Sequence, residues 1–364
     1  MNTETQPRIV MAVTNDLATD RRVQRHAATL RSAGYAVLLL GRGDLYVRSS
    51  RSFRFYAEYN LRLFFRLLRT GCDIVWANDS DTLPACWLAA RLKRRRLVLD
   101  AHEIFPELPE VVGRKHVQRV WRIINRMLIP RCDALLTVCQ SFADYYREQH
   151  GVDMQVVRNL QPTDPLLPPL PHTAEHPVLL YQGAVNVGRG VDWAIDALEW
   201  LPQCRLVVAG TGDVIGKMRD YAASKPWADR VQFLGRLSVE TLETLTPQAD
   251  IGLLMLEDRG LSYRLTLPNR VGDFVAAGVP IVASPMPETA AIVQKYGIGE
   301  LLDAPGPRPL ADAVQRLLLR WSPLGPQERL AAFDQPRRDL DWNREQQRLL
   351  SLVQSLHVRN QYPL

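Results

Sequence analysis

The chain has 364 residues, more than the ~250–300 at which a single hydrophobic core stops growing, so two domains are expected. Hydrophobic residues make up 46% and charged residues 23%, which excludes a disordered or fibrous protein. The formal net charge of +6 is uneven: residues 1–160 carry 25 Lys and Arg against 16 Asp and Glu, so the first half is the one that attracts anionic partners.

The segment MNTETQPRIVMAVTND passes from a polar tail into a strand-like run without a basic n-region, an apolar h-region or a cleavage site. No apolar run approaches the ~20 residues that a membrane-spanning helix needs. Cys72, Cys86, Cys132, Cys139 and Cys204 form neither a disulfide framework nor a CxxC pair. Reduced thiols and a cytoplasmic location are therefore expected.

Short apolar runs at 8–14, 36–41, 73–77, 96–100 and 133–138 read as strands buried on both faces. Between them, 20–33 places Val23, Ala27 and Leu30 on one helix face and stops at Gly34. A second helix is predicted over 79–93, with Asp79, Ser80 and Asp81 as capping residues. Strand alternating with helix predicts a parallel, doubly wound sheet over residues 1–160. Residues 161–177, with six prolines and no apolar periodicity, read as a linker. Alternation resumes with strands at 178–182, 205–209, 231–234, 250–256 and 280–284, giving a second α/β domain over 178–320. The remainder, 321–364, has helical spacing and reads as a helical tail expected to cross back and pack on the first domain.

Ligands of open α/β sheets bind beyond the carboxyl ends of the strands. The residues there are polar in this chain: Asn15 and Asp16 after the first strand, Asp79 and Asp81 after the third, His102 and Glu103 after the fourth. After VLLYQ comes GAVNVGRG, in which Gly183, Gly188 and Gly190 let main-chain amides approach an anion and Arg189 adds a charge-assisted donor. Gly210 and Gly212 form another glycine turn after RLVVA. In LPNRVGDFVAAGVPIVAS, Pro268 suits the first turn of a helix and Gly278 its end; Asp273 is either a ribose-binding carboxylate or a solvated helix-face acid. No HxH or HExxH occurs, and the basic balance comes without any nucleic-acid module, so neither a metal nor a nucleic acid is expected.

The blocks TNDLATDRRVQRHAATLRSAGYAV, DIVWANDSDTLPACWLAARL, LVLDAHEIFPE, YQGAVNVGRGVDWAIDAL and LPNRVGDFVAAGVPIVAS, in this order, resemble retaining family 4 glycosyltransferases of the GT-B fold. The resemblance covers most of residues 8–300. It implies two Rossmann-like domains facing across a cleft, a nucleotide-sugar donor held by the second, a glycan or lipid-linked glycan acceptor held by the first, and no cofactor. By position it makes Arg189 the cation at the donor diphosphate, Asp273 the acid at the ribose and His102 the histidine near the transferred sugar. Pro268 and Asn269 fall in the same donor block, while Asn15, Asp16, Asp79, Asp81 and Glu103 face the acceptor.

Two positions depart from the family pattern. Leu265 stands where the first acid of the family's pair is expected, and Ala184 where an arginine often follows the first glycine. Glu257 and Arg264 are the nearby candidates to compensate. A nucleotide-sugar-binding protein that has lost catalysis is the alternative to an active transferase, and a phosphorylase or epimerase a minor one. Residues 60–71 and 114–131 interleave arginine with large apolar residues at helical spacing, which fits either core packing or an anionic membrane surface.

Overall fold

The computed structural model describes residues 6–18, 20–49, 53–163 and 176–361. Most of the predicted linker, 164–175, lies outside them. The chain forms two compact units. Asn159–Arg259 and Tyr263–Arg344 make up the second; the rest of the described chain, including the end of the last helix from Glu345, belongs to the first.

In the first unit, strands β1 (Arg8–Ala12), β2 (Ala36–Leu40), β3 (Ile74–Asn78), β4 (Arg96–Ala101), β5 (Ala134–Thr137) and β6 (Gln155–Val156) form a parallel sheet in the order β2-β1-β3-β4-β5-β6. Helices α1 (Arg21–Ser32), α2 (Phe53–Arg69), α3 (Leu83–Lys93), α4 (Lys115–Leu128) and α5 (Gln140–His150) connect them. All five residues of β3 are buried, as expected when crossover helices cover both faces of a parallel sheet. Asp20 caps α1 by accepting from the Val23 amide at 3.1 Å, and Val23, Ala27 and Leu30 are fully buried.

The second unit repeats the scheme. Strands β7 (Val178–Gln182), β8 (Arg205–Ala209), β9 (Val231–Gly235), β10 (Ile251–Leu254), β11 (Ile281–Ala283) and β12 (Gly299–Leu301) are parallel, in the order β12-β11-β10-β7-β8-β9. Helices α6 (Val191–Ala197), α7 (Ile215–Ala223), α8 (Val239–Leu245), α9 (Leu261–Leu265, its first two residues assigned to the first unit), α10 (Asn269–Ala277), α11 (Pro287–Tyr296), α12 (Pro307–Trp321), α13 (Pro326–Ala332) and α14 (Asp334–Asp339) follow in chain order. Pro268 is the residue before α10, which ends at Gly278 in the left-handed conformation at φ +70°. Phe274 of α10 lies against β10 where Gly252 has no side chain; a Cβ there would sit 2.6 Å from its ring.

The last helix, α15 (Trp342–Gln361), begins in the second unit and completes the first. Within the first unit, Glu345 is 1% exposed and accepts from the Arg158 amide at 3.1 Å and from its guanidinium at 3.2 Å. Among the described residues, no helix is long and apolar enough to cross a membrane.

Candidate functional site

Where strand order reverses in a parallel sheet, neighbouring connections leave to opposite sides and open a crevice beyond the strand ends. In the first unit the reversal falls between β1 and β3, in the second between β7 and β10. The polar residues singled out from the sequence gather at these two places.

In the first unit, Asp79 follows β3 in the left-handed region at φ +65°, an uncommon conformation for a residue with a side chain. Its carboxylate caps nothing in α3. Oδ1 instead accepts from the amides of His102 at 2.6 Å and Glu103 at 3.1 Å, and Oδ2 lies 3.4 Å from His102 Nδ1. This corrects the expectation of a helix running from 79, because α3 starts four residues later behind a turn that aims Asp79 at the β4 loop. Asp81 is also drawn elsewhere, to the hydroxyl of Thr14 after β1.

Beneath this loop lies a buried ion network. Asp100, at the end of β4 and fully buried, pairs in fork geometry with Arg22 of α1 at 2.6 and 3.0 Å. His26 Nδ1 and His102 Nε2 each lie 3.2 Å from the Asp100 carboxylate. Burial opposes ionisation of Asp100, but Arg22 and His102 hold its carboxyl well below the usual range. For His102, burial works against the charged ring, yet Asp79 and Asp100 outweigh it and lift the pKa to about 9. His26 goes the other way, to about 4, through burial and then the charge of Arg22. Burial also raises Asp79 and, with Asp79 beside it, raises Asp81 well above the ordinary value. The result is a positively charged imidazole, 15% exposed, seated on carboxylates at the strand ends. Glu103 is exposed next to it. Asn15 and Asp16 form a turn of their own, Asn15 bonding Asp20 and Asp16 accepting from the Ala18 amide.

In the second unit, the loop after β7 holds Gly183, Gly188 and Gly190 at φ +125°, +81° and +63°, conformations that residues with side chains rarely adopt. Gly190 leads directly into α6. Arg189 packs its guanidinium 4.7 Å from the Tyr263 ring centroid and donates to the Tyr263 hydroxyl at 3.3 Å, while its buried Nε has no hydrogen-bond partner. Asp273 of α10 is half-buried at the end of β7, where it accepts from Gln182 Nε2 at 3.1 Å; the solvated helix-face reading is thereby corrected. Gln182 is itself held by the Thr246 hydroxyl at 2.9 Å. Asn269, the first residue of α10, is exposed, and Pro268 beside it is half-buried.

Gly210 and Gly212 have a packing reason of their own. A Cβ on Gly210 would fall 1.8 Å from the Gly183 carbonyl oxygen, and one on Gly212 would fall 2.4 Å from that of Val185. They let the β8 loop lie directly on the β7 loop, where the Val185 amide donates to Thr211 at 3.0 Å. The two candidates for compensation are engaged elsewhere: Glu257 pairs with Arg259 at 3.5 Å, and Arg264 Nε donates to Asp258 at 2.8 Å.

Sequence reasoning thus brought His102, Asp79, Asp81 and Glu103 to one place, and Arg189, Asp273 and the glycines to another. It missed Arg22 and His26. Their signal was spacing, since four residues apart on α1 they share the buried side with Val23 and Ala27.

Comparison with known proteins gives the same division. The family described as Glycosyl transferases group 1 matches residues 176–320, and the one described as Glycosyltransferase Family 4 matches residues 19–160. An uncharacterized glycosyltransferase of Methanocaldococcus jannaschii is 25% identical over 149 residues, 40% of this chain; the match spans only 36% of that protein. Among solved structures, sucrose-phosphate synthase of Thermosynechococcus elongatus aligns with TM-score 0.75 at 16% identity, covering 97% of this chain and all of the other. The Anabaena protein HepE, solved with UDP and glucose, aligns with TM-score 0.73 at 14% identity over 96% of this chain and all of that one. WaaG, a glycosyltransferase involved in lipopolysaccharide biosynthesis, gives TM-score 0.67 at 15% identity over 92% and 95% of the two chains. Matched in each half by the corresponding family, and built of two parallel six-stranded sheets, the chain belongs to the group 1, family 4 glycosyltransferases of the GT-B fold.

Proposed function

We propose that this protein transfers a sugar from a nucleoside-diphosphate donor to a hydroxyl of a glycan or lipid-linked glycan, with retention of anomeric configuration, in the assembly of a cell-surface polysaccharide or glycolipid. The second unit supplies the donor site. One observation carries the reading: Arg189 and Asp273 stand at the end of β7 beside three glycines in left-handed conformations, a cation and a carboxylate together with close main-chain approach. A diphosphate accepts hydrogen bonds only and fits the guanidinium and the loop amides. A ribose has hydroxyls to donate, and Asp273 accepts.

The leaving group gains negative charge as the glycosidic bond breaks, so the chief demand on the protein is to stabilise that charge and to orient the reactants. Guanidinium groups provide the charge that a divalent cation provides in other folds, and the proposed reaction needs no resident metal. In the first unit, His102 is the cation of the acceptor-side loop, its two ring nitrogens facing the carboxylates of Asp79 and Asp100.

The test is a donor panel. UDP-, GDP-, ADP- and dTDP-sugars are incubated with the protein and released nucleoside diphosphate is measured, with UDP-glucose first because HepE was solved with it. Slow hydrolysis of at least one donor is expected, and Arg189→Ala is expected to slow it by about tenfold or more. Equal turnover by that variant overturns the role of Arg189; proton NMR of a transferred product checks retention. Leu265, where the family pattern has an acid, favours the alternative of a protein that binds donors without turnover, for which donors would stabilise the chain but release no diphosphate.

A further inference from the structure

One more guanidinium stands at the end of β7, and neither sequence pattern nor resemblance marked it. Arg270, the second residue of α10, is only 9% exposed. Its guanidinium lies 4.7 Å from the Tyr181 ring centroid, and its side chain runs along the main chain of Gly183, where a Cβ would meet Arg270 Cδ at 3.3 Å. Its Nη1 is buried with no hydrogen-bond partner, as is Nε of Arg189. Burial lowers the pKa of Arg270, and the neighbouring positive charge of Arg189 lowers it further, with partial relief from Tyr181 and Asp273. Two guanidiniums thus share the β7 end with too few acceptors. The other nearby arginines, Arg259 and Arg264, already have carboxylate partners in Glu257 and Asp258.

An anion resolves every part of this arrangement. It gives Nη1 of Arg270 and Nε of Arg189 an acceptor, and it separates two like charges held close in a poorly solvated place. The first-turn amides of α10 favour the same sign of charge. We propose that Arg270, reaching the β7 loop from α10, is a second cation for the donor's diphosphate and acts together with Arg189. This rests on the nucleotide-sugar reading above and assigns the diphosphate a contact outside the glycine loop. Glycine at 183 then has a further reason, since any side chain there would press against the Arg270 stem.

The test is binding by the full-length protein of inorganic pyrophosphate, of UDP, GDP, ADP and dTDP, and of the matching monophosphates and nucleosides, measured by calorimetry. Arg270→Gln is expected to lose about tenfold or more in affinity for pyrophosphate and for the preferred diphosphate, and much less for the nucleoside. Arg270→Lys, which keeps the charge, should recover part of that loss, and it also serves as the folded comparison if the Gln variant melts early. Wild-type protein that binds neither pyrophosphate nor any nucleoside diphosphate overturns the donor reading itself. If wild-type protein binds and Arg270→Gln binds the diphosphate equally well, only the role of Arg270 falls. An equal loss for diphosphate and nucleoside signals a collapsed pocket and likewise overturns the proposal.

Discussion

Two histidines of the first unit that share Asp100 take opposite charge states. His26 touches Asp100 but is completely buried and faces Arg22, so its pKa falls to about 4; His102 touches both Asp100 and Asp79, and its pKa rises to about 9. The ordinary value is 6.5, and the two shifts act on stability from opposite sides. Below pH 6.5 the unfolded chain protonates His26 more readily than the folded one does, so the contribution of His26 is full above 6.5 and drains as pH falls towards 4. Above 6.5 the folded chain holds the His102 proton that the unfolded one gives up, so the contribution of His102 is full below 6.5 and drains as pH rises towards 9. Urea midpoints measured from pH 4 to pH 9.5 should therefore decline on both sides of about 6.5. His102→Gln should flatten the alkaline side and leave the acid side in place. An unchanged alkaline slope in that variant would mean that the ring is not charged by these carboxylates. Donor-site variants in the second unit should leave both slopes alone.

At the scale of elements, the strands were legible because composition decides them: apolar runs of four to six residues, buried throughout in β3 and β10 but only partly in β2 and β9, leave little room for another structure. The short edge strands β6 and β12 were not legible, since two or three residues carry no period. The start of α3 was misread because Asp79 looks like a helix cap locally and serves the β4 loop across 23 residues of sequence. The β8 loop offers a direct test of the packing argument. Gly210→Ala must displace the main chain of Gly183, and a cost of about 1–3 kcal/mol in the denaturant midpoint, with loss of nucleotide binding, is expected.

Helices α2, α3 and α4 carry exposed large apolar residues. Leu61 and Phe65 of α2, Leu92 of α3, and Ile123 and Met127 of α4 are 46–62% exposed, and Glu58 is the one acid in the three helices against ten Arg and Lys. We propose that these helices meet an anionic lipid surface. Co-flotation is expected with vesicles containing phosphatidylglycerol and not with pure phosphatidylcholine, weakening with salt. Changing Phe65 or Ile123 to Ser should reduce it by about tenfold each. Equal binding to neutral vesicles, or none to either, would sink the surface reading.

For the whole molecule, the sequence disclosed two α/β units and left the construction of each site in doubt, for a physical reason. Fold is written in local periodicity, but Arg22, His26 and Arg270 acquire meaning only when α1 is laid on β4 and α10 on β7, contacts across 78 and 87 residues in the first and last cases. Each unit has its own sheet and its own core, so binding should be felt unevenly. A ligand that binds the folded state at a hundred times its dissociation constant stabilises that state by about 2.7 kcal/mol. If the diphosphate sits on the β7 loop and α10, this stabilisation belongs to the second unit. Hydrogen exchange with saturating nucleoside diphosphate should therefore show added protection over residues 178–301, centred on the β7 loop and the first turn of α10. The buried strands β1, β3 and β4 should exchange at their unliganded rates. Protection concentrated in the first unit would place the nucleotide on the wrong sheet for the proposed chemistry.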